Sequence, residues 1–275
     1  MTTKNTSALD SAYVIVNAIF SEKLARGEIP WHASCNEYPK DIDGQLFRGV
    51  NVWLLTYLQY SRHVFLTPEQ IEARNLCLKI SAKKEHFIIT SIKGKKNRSL
   101  GVCEVYNVDQ VEGLNTKKFP QAHPAPRYLR LYTDIYDLMP NPPNVIDKGS
   151  NLYYDIEADT IHLPLPDSFK NDRQWYSALF YALVLSTYHP SRLNRQSPEH
   201  RYSLDRRLFS CDELAIEMGC SLLCSYTGIE PWYLVEHYKN AEGWLRKIES
   251  DPMLVSMAAL LADQSVSYIL NLTYQ

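Results

Sequence analysis

Seven cations lie between residues 79 and 98, opposed only by Glu85: Lys79, Lys83, Lys84, Lys93, Lys95, Lys96 and Arg98. Such a cluster can neutralise a phosphate backbone, releasing counterions and making binding salt-dependent. It can equally be a solvated hairpin whose lysines keep a sheet edge from pairing with other chains. Taken alone, the second reading suffices. The same half of the chain also carries Trp31, Phe47, Trp53, Tyr57 and Tyr106 beside Arg48 and Asn51. Aromatic rings beside a basic track are how single-stranded nucleic acid is held, with stacking worth roughly 1–3 kcal/mol per base. Trp53 and Tyr57, at i and i+4, are expected in the core. Trp31 follows Pro30 in a loop and is expected to be exposed.

The second half offers donors that could hold a metal: His162, His189, Glu213 and Glu217. Zinc sites need three or four such ligands converging. The simpler expectation pairs Glu213 or Glu217 with Arg192, Arg195 or Arg207 and hydrogen-bonds His189 near a helix end. None of the six cysteines forms a CxxC pair, so neither a zinc knuckle nor a redox motif is indicated. Cys220 and Cys224, one helical turn apart, read as buried free thiols in a reducing cytosol. The sequence has no glycine-rich phosphate loop and no G-x-S-x-G elbow.

Positioning these residues requires a mixed α+β chain. Apolar periodicity predicts helices over 11–25, 50–60, 174–187, 211–226, 232–249 and 252–272. A further helix over 66–74 opens with Thr67-Pro68, an N-cap followed by proline at the first helical position. Strands are expected over 76–80, 86–91, 100–108, 151–154 and 160–163. Proline-rich breaks within 121–143 predict a linker between a domain over 1–120 and one over 144–275, with a helix over 128–138 packed on either. The net charge of −2 is asymmetric. Residues 1–120 hold 16 Lys+Arg against 12 Asp+Glu, and the remainder 13 against 19. An anionic partner is therefore expected to meet the first half. No apolar run approaches membrane-spanning length and no signal peptide pattern opens the chain, so a bacterial cytoplasmic location is expected.

Several segments resemble the ArdC-type antirestriction proteins. In the first half they are Gly27-Glu28-Ile29-Pro30-Trp31, the run from Phe47-Arg48-Gly49 to Leu55, and Val105-Tyr106-Asn107-Val108-Asp109-Gln110-Val111-Glu112-Gly113. Leu66-Thr67-Pro68-Glu69-Gln70 resembles the family's L-T-F-K-Q stretch, and the lysines after Lys79 fall where the family has its basic turn. In the second half Asp159-Thr160-Ile161-His162-Leu163-Pro164, Tyr188-His189-Pro190-Ser191-Arg192-Leu193 and Asp212-Glu213-Leu214-Ala215-Ile216-Glu217 are similar to segments around the family's metallopeptidase helix. The resemblance implies an N-terminal α+β domain that binds single-stranded DNA and a mostly helical zincin-like domain with a small sheet. It also implies a role in protecting plasmid or phage DNA from restriction.

The family's helix carries H-E-x-x-H, where two histidines hold zinc and the glutamate activates its water. Here those positions fall on Tyr181, Ala182 and Leu185, and Glu213 matches the later ligand. No metal, no cofactor and no hydrolysis are expected from that set. The expected DNA-binding residues are Trp31, Arg48, Asn51, Lys79, Lys83, Lys84, Lys93, Lys95, Lys96, Arg98 and Tyr106. A divergent metallohydrolase with other ligands is one alternative. A protein inhibitor whose acidic second half binds a host restriction or defence protein is another.

Overall fold

The first helix forms because its apolar residues recur every fourth position. In α1 (Ala8–Ala25) Ala12, Val16, Phe20 and Leu24 are all buried, and Gly27, at φ 76°, turns the chain out of the helix. These elements come from a computed structural model that describes residues 8–32, 37–82, 86–93, 98–119, 121, 129–195, 206–229 and 234–272.

α2 (Val50–Thr56) starts at Gly49, whose φ of 59° strains any other residue, and stops four residues short of the expected end. Its continuation is broken at Gln59, which takes a positive φ of 53°. α3 (Pro68–Glu72) is short but fully capped. The Thr67 side chain accepts from Gln70 N, and Gln70 returns the bond to the Thr67 amide.

Seven short strands follow this half of the chain. β1 (Lys40–Asp41), β2 (Val64–Leu66) and β6 (Tyr106–Asn107) make one sheet in the order β1-β2-β6. β3 (Cys77–Leu78) pairs with β7 (Val111–Glu112), and β4 (Phe87–Lys93) makes an antiparallel hairpin with β5 (Arg98–Glu104). The expected strand over 100–108 is thus divided, because Val105 turns its neighbours into a different sheet. β1 and β2 lack the length for period-2 alternation to be seen in the sequence.

The second half brings α4 (Leu129–Leu138) and a three-stranded sheet of β8 (Asn144–Gly149), β9 (Tyr153–Asp155) and β10 (Thr160–Pro164) in the order β8-β10-β9. β10 runs parallel to β8 and antiparallel to β9. Among the described residues four long helices follow: α5 (Asp172–Ser186), α6 (Arg206–Thr227), α7 (Leu234–Ser250) and α8 (Leu254–Ile269). α5 is capped by the Asn171 side chain, which accepts from Gln174 N at 3.1 Å. It is buried on most sides, as its continuous apolar run requires.

α5 and α6 pack antiparallel. Tyr188 meets Asp212 at one end, and Ser177 meets Cys220 and Cys224 at the other. Gly219 permits the close approach between them, since a Cβ there would lie 3.0 Å from Val184 Cγ1.

The largest core draws on both halves. Phe20, Trp31, Val52 and Trp53 join Leu183, Leu214, Val255 and Val266 in one apolar cluster. The 121–143 stretch read as a linker contributes Ile135 and Met139 to the same cluster. Polar ties reinforce the junction. Asn17 Nδ2 donates to the carbonyls of Ile248 and Asp251 at 2.9 and 3.1 Å, and Ser221 Oγ donates to Trp31 O at 2.7 Å.

Candidate nucleic-acid interface and zincin-like site

Among the described residues, several of those expected to contact DNA are buried or bonded within the fold. Trp31 is the clearest correction, being 1% exposed rather than displayed on a loop. Its ring stacks on Phe20 with centroids 6.4 Å apart and meets Trp244 edge-on at 6.2 Å. Trp31 packs against Phe20 of α1, so burial of the indole outweighs its position after Pro30. Tyr106 is also buried, in a smaller core with Val64, Leu66, Ile71, Val108 and Val111. Its hydroxyl donates to Glu104 Oε2 at 2.9 Å, and burial, with that carboxylate, raises its pKa.

Arg48 points into the protein. Its Nη2 donates to Ser267 Oγ at 2.7 Å, and its Nε lies 3.4 Å from Asp263 Oδ2. Asn51 clamps α2 to the hairpin, donating to Ile89 O at 2.8 Å and accepting from Ile89 N at 2.7 Å. Lys79 Nζ donates to Asp109 O at 2.7 Å. Each of these is engaged in holding the fold. Lys93 and Arg98 face each other as the last backbone pair of the β4–β5 hairpin. Lys83, Lys84, Lys95 and Lys96 lie outside the described residues.

Trp53 and Tyr57 also part company. Trp53 is core, whereas Tyr57 stands half-buried in the turn after α2. The Lys23 ammonium sits over the Tyr57 ring, and the Tyr57 hydroxyl donates to Glu28 Oε2. Burial, with that bond, pushes the Tyr57 hydroxyl up to about 12. Phe47 packs edge-on against Phe65 at 6.3 Å.

In the second half, the positions that the resemblance assigns to H-E-x-x-H lie on α5. Ala182 is buried in the main core, and Tyr181 and Leu185 are half-buried against it. Neither Ala182 nor Leu185 carries a donor atom. Glu213, on α6, accepts from Lys247 Nζ at 2.9 Å, and that ammonium also lies 4.2 Å from the Trp244 ring centroid. The carboxylate matched to a metal ligand therefore faces a cation already. Among the described residues no three His, Cys, Asp or Glu side chains converge in a group able to hold a metal ion. The donor chemistry at these positions does not fit a tetrahedral zinc.

Two of the arginines expected to pair with Glu213 or Glu217, Arg192 and Arg195, bond to other groups, and the Arg207 side chain lies outside the described residues. Arg192 forms a bidentate pair with Asp159 and donates to Ser186 O at 2.7 Å and Tyr154 Oη at 2.7 Å. Burial raises the Asp159 carboxyl, but Arg192 and Tyr154 together outweigh it and hold it below the usual aspartate value. Arg195 donates to Ser265 Oγ, Leu261 O and Gln264 Oε1 on α8. Asp212, wholly buried, accepts from Tyr188 Oη at 2.9 Å.

His189 sits just past α5, where its Nδ1 meets Ser191 Oγ at 2.7 Å and accepts from Ser191 N at 3.1 Å, in line with a structural role. His162 stacks on Tyr153 with ring centroids 4.3 Å apart. Cys220 and Cys224 are buried cysteines outside any disulfide, with sulfurs 3.9 Å apart. Sequence reasoning missed Lys247 and Asp263, whose partners lie on other elements. It also missed Lys23, whose proximity to Tyr57 no spacing rule links.

Comparison with known proteins fits this arrangement. Residues 142–261 match the zincin-like metallopeptidase family MPTase-PolyVal. The Mn(II)-bound structure of the antirestriction protein ArdC from plasmid R388 superposes with a TM-score of 0.76 at 22% identity, covering 96% of this chain and 99% of that one. Its metal-free structure gives 0.71 at 21% identity, covering 94% and 96%. The DNA primase TraC of Escherichia coli is 27% identical over 120 residues, which is 43% of this chain and only 11% of TraC. The chain has the α+β fold seen in ArdC, and its residues 142–261 are similar to zincin-like metallopeptidase domains.

Proposed function

We propose that this protein binds single-stranded DNA and acts in antirestriction on behalf of a mobile element, its zincin-like half serving as a non-catalytic partner of the DNA-binding half. The observation that carries this reading is the superposition on ArdC along nearly the whole chain, not along the zincin-like part alone. The match to a DNA primase adds a second DNA-handling relative. The β4–β5 hairpin supports it too, since it leads toward the lysine-rich 93–98 segment. No described helix is long and apolar enough to cross a membrane.

A fluorescence-anisotropy titration with a labelled oligonucleotide tests the reading. Single strands should bind more tightly than duplex, with affinity falling as salt rises, at a log–log slope of about −0.7 per phosphate contacted. Equal binding of duplex, or indifference to salt, overturns it.

A metal-dependent hydrolase is the second reading, because one ArdC structure holds Mn(II). Carboxylates suit that ion, and Glu213 and Glu217 lie one turn apart on α6. Metal analysis of the purified protein decides between the two. Stoichiometric metal that disappears in Glu213→Ala would establish the hydrolase reading. Its absence from protein prepared with Mn(II) and Zn(II) present supports the non-catalytic one.

A further inference from the structure

A pocket of about 340 Å³ opens between α1, α2 and the start of β4. That volume sits at the lower end of the roughly 300–1,000 Å³ typical of small-ligand sites. Its lining is largely aromatic and aliphatic: Phe20, Trp53, Leu54, Tyr57 and Phe87. Trp53 is 2% exposed, and its indole N–H has no hydrogen-bond partner among the described residues. That nitrogen is closed to solvent, so Trp53 contributes packing to the wall and not a hydrogen bond to a ligand.

The charges at the mouth favour one class of ligand. Lys23 and Arg26 line the pocket, but Glu22 pairs with Arg26 and Glu28 lies beside Lys23 and Tyr57. The two cations are balanced locally, so the pocket is not built for an anion. It suits an uncharged planar ring that packs against the aromatic wall. Phosphates a few nucleotides further along the same strand would run toward the cation-bearing end of the hairpin. β4 leaves the pocket at Phe87 and reaches its last pair, Lys93 with Arg98, six residues on. At about 3.3 Å per residue that is roughly 20 Å, a distance spanned by a few nucleotides of extended strand. Asn51 fixes the geometry between pocket and hairpin through both bonds to Ile89.

We infer that this pocket receives one unstacked nucleobase of a single-stranded DNA whose backbone runs along the β4–β5 hairpin. The inference rests on the single-stranded-DNA reading and assigns it a site. Duplex is disfavoured because a paired base must be unstacked and unpaired first, at a cost of a few kcal/mol.

Two variants and one altered ligand test it. Tyr57→Ala removes an aromatic wall, and Leu58→Trp fills the space from the half-buried position beside it. Each variant is first compared with the parent by circular dichroism melting, which guards against reading a folding defect as a binding one. The altered ligand is an abasic sugar–phosphate chain of the same length as a thymidine oligonucleotide. The parent should bind the thymidine strand about tenfold or more tightly than the abasic chain, within the range set by stacking. Both variants should lose most of that discrimination while keeping their affinity for the abasic chain. If the parent binds the thymidine strand and both variants discriminate as it does, the pocket assignment is overturned and the DNA-binding function stands. If the parent binds no single strand, the function itself fails and the pocket assignment falls with it.

Discussion

Replacing Asp263 by Ala tests whether Arg48 is a structural residue or a phosphate contact. Asp263 is wholly buried on α8 and gathers three hydrogen bonds besides its pairing with Arg48. Gly49 N donates to it at 2.8 Å, Tyr38 Oη at 3.2 Å and Ser267 Oγ at 3.4 Å. Removing one partner of a buried ion pair typically costs about 3–5 kcal/mol. Arg48 keeps 23% side-chain exposure, but its Nε and Nη1 are closed to solvent, so the expected loss is at least about 3 kcal/mol. For a chain of this size that lowers Tm by roughly 6–12 °C.

Removal of both charges by Arg48→Met with Asp263→Leu should recover part of the loss, because no unpaired charge stays buried. Arg48→Met alone should lower Tm and leave the salt slope of DNA binding unchanged in the folded protein. Thermal melting and salt-dependent anisotropy on the same preparations provide both readings. If Arg48→Met keeps the parental Tm but reduces the salt slope by about 1, Arg48 is a phosphate contact and the reasoning is refuted.

Three further expectations follow from the packing and the charges. Gly219→Val places new methyl groups against Val184 and should destabilise by roughly 1–3 kcal/mol in urea melts; an unchanged midpoint would contradict the α5–α6 approach distance. His63 is buried, and its desolvation, only partly offset by Glu37, lowers its pKa below 6.5. The unfolded chain therefore binds the proton first, and stability should decline as pH falls from about 6.5 toward the lowered folded value. That decline should flatten in His63→Gln when Tm is followed between pH 7 and 5. The Lys247–Glu213 pair is 40% and 35% exposed, so Glu213→Gln should change stability by less than about 1 kcal/mol, an effect that shrinks further in high salt.

Local rules were enough for much of the scaffold. The fourfold repeat of Val16, Phe20 and Leu24, the Thr67-Pro68 start of α3 and the apolar run of α5 each specify their own element through contacts within a turn or two. Gly27 and Gly49 likewise mark the ends they form. Short strands such as β1 and β2 escaped notice, because two or three residues cannot display a period and their pairing partners are far along the chain.

The site was less legible than the scaffold. The sequence by itself determined that Ala182 and Leu185 offer no metal donors, since that is a property of the side chains and not of their placement. It also determined where the cations cluster. Only the tertiary structure decided which rings and charges remain available to a ligand. Residue type and neighbourhood point to Trp31 and Arg48 as DNA contacts, yet packing against Phe20 and Trp244 and pairing with Asp263 engage them within the fold. Trp244 and Asp263 lie more than two hundred residues from the groups they claim, and no spacing rule reaches that far. Tyr57 went the other way, leaving the expected core for the mouth of a pocket, because α2 ends one residue before it.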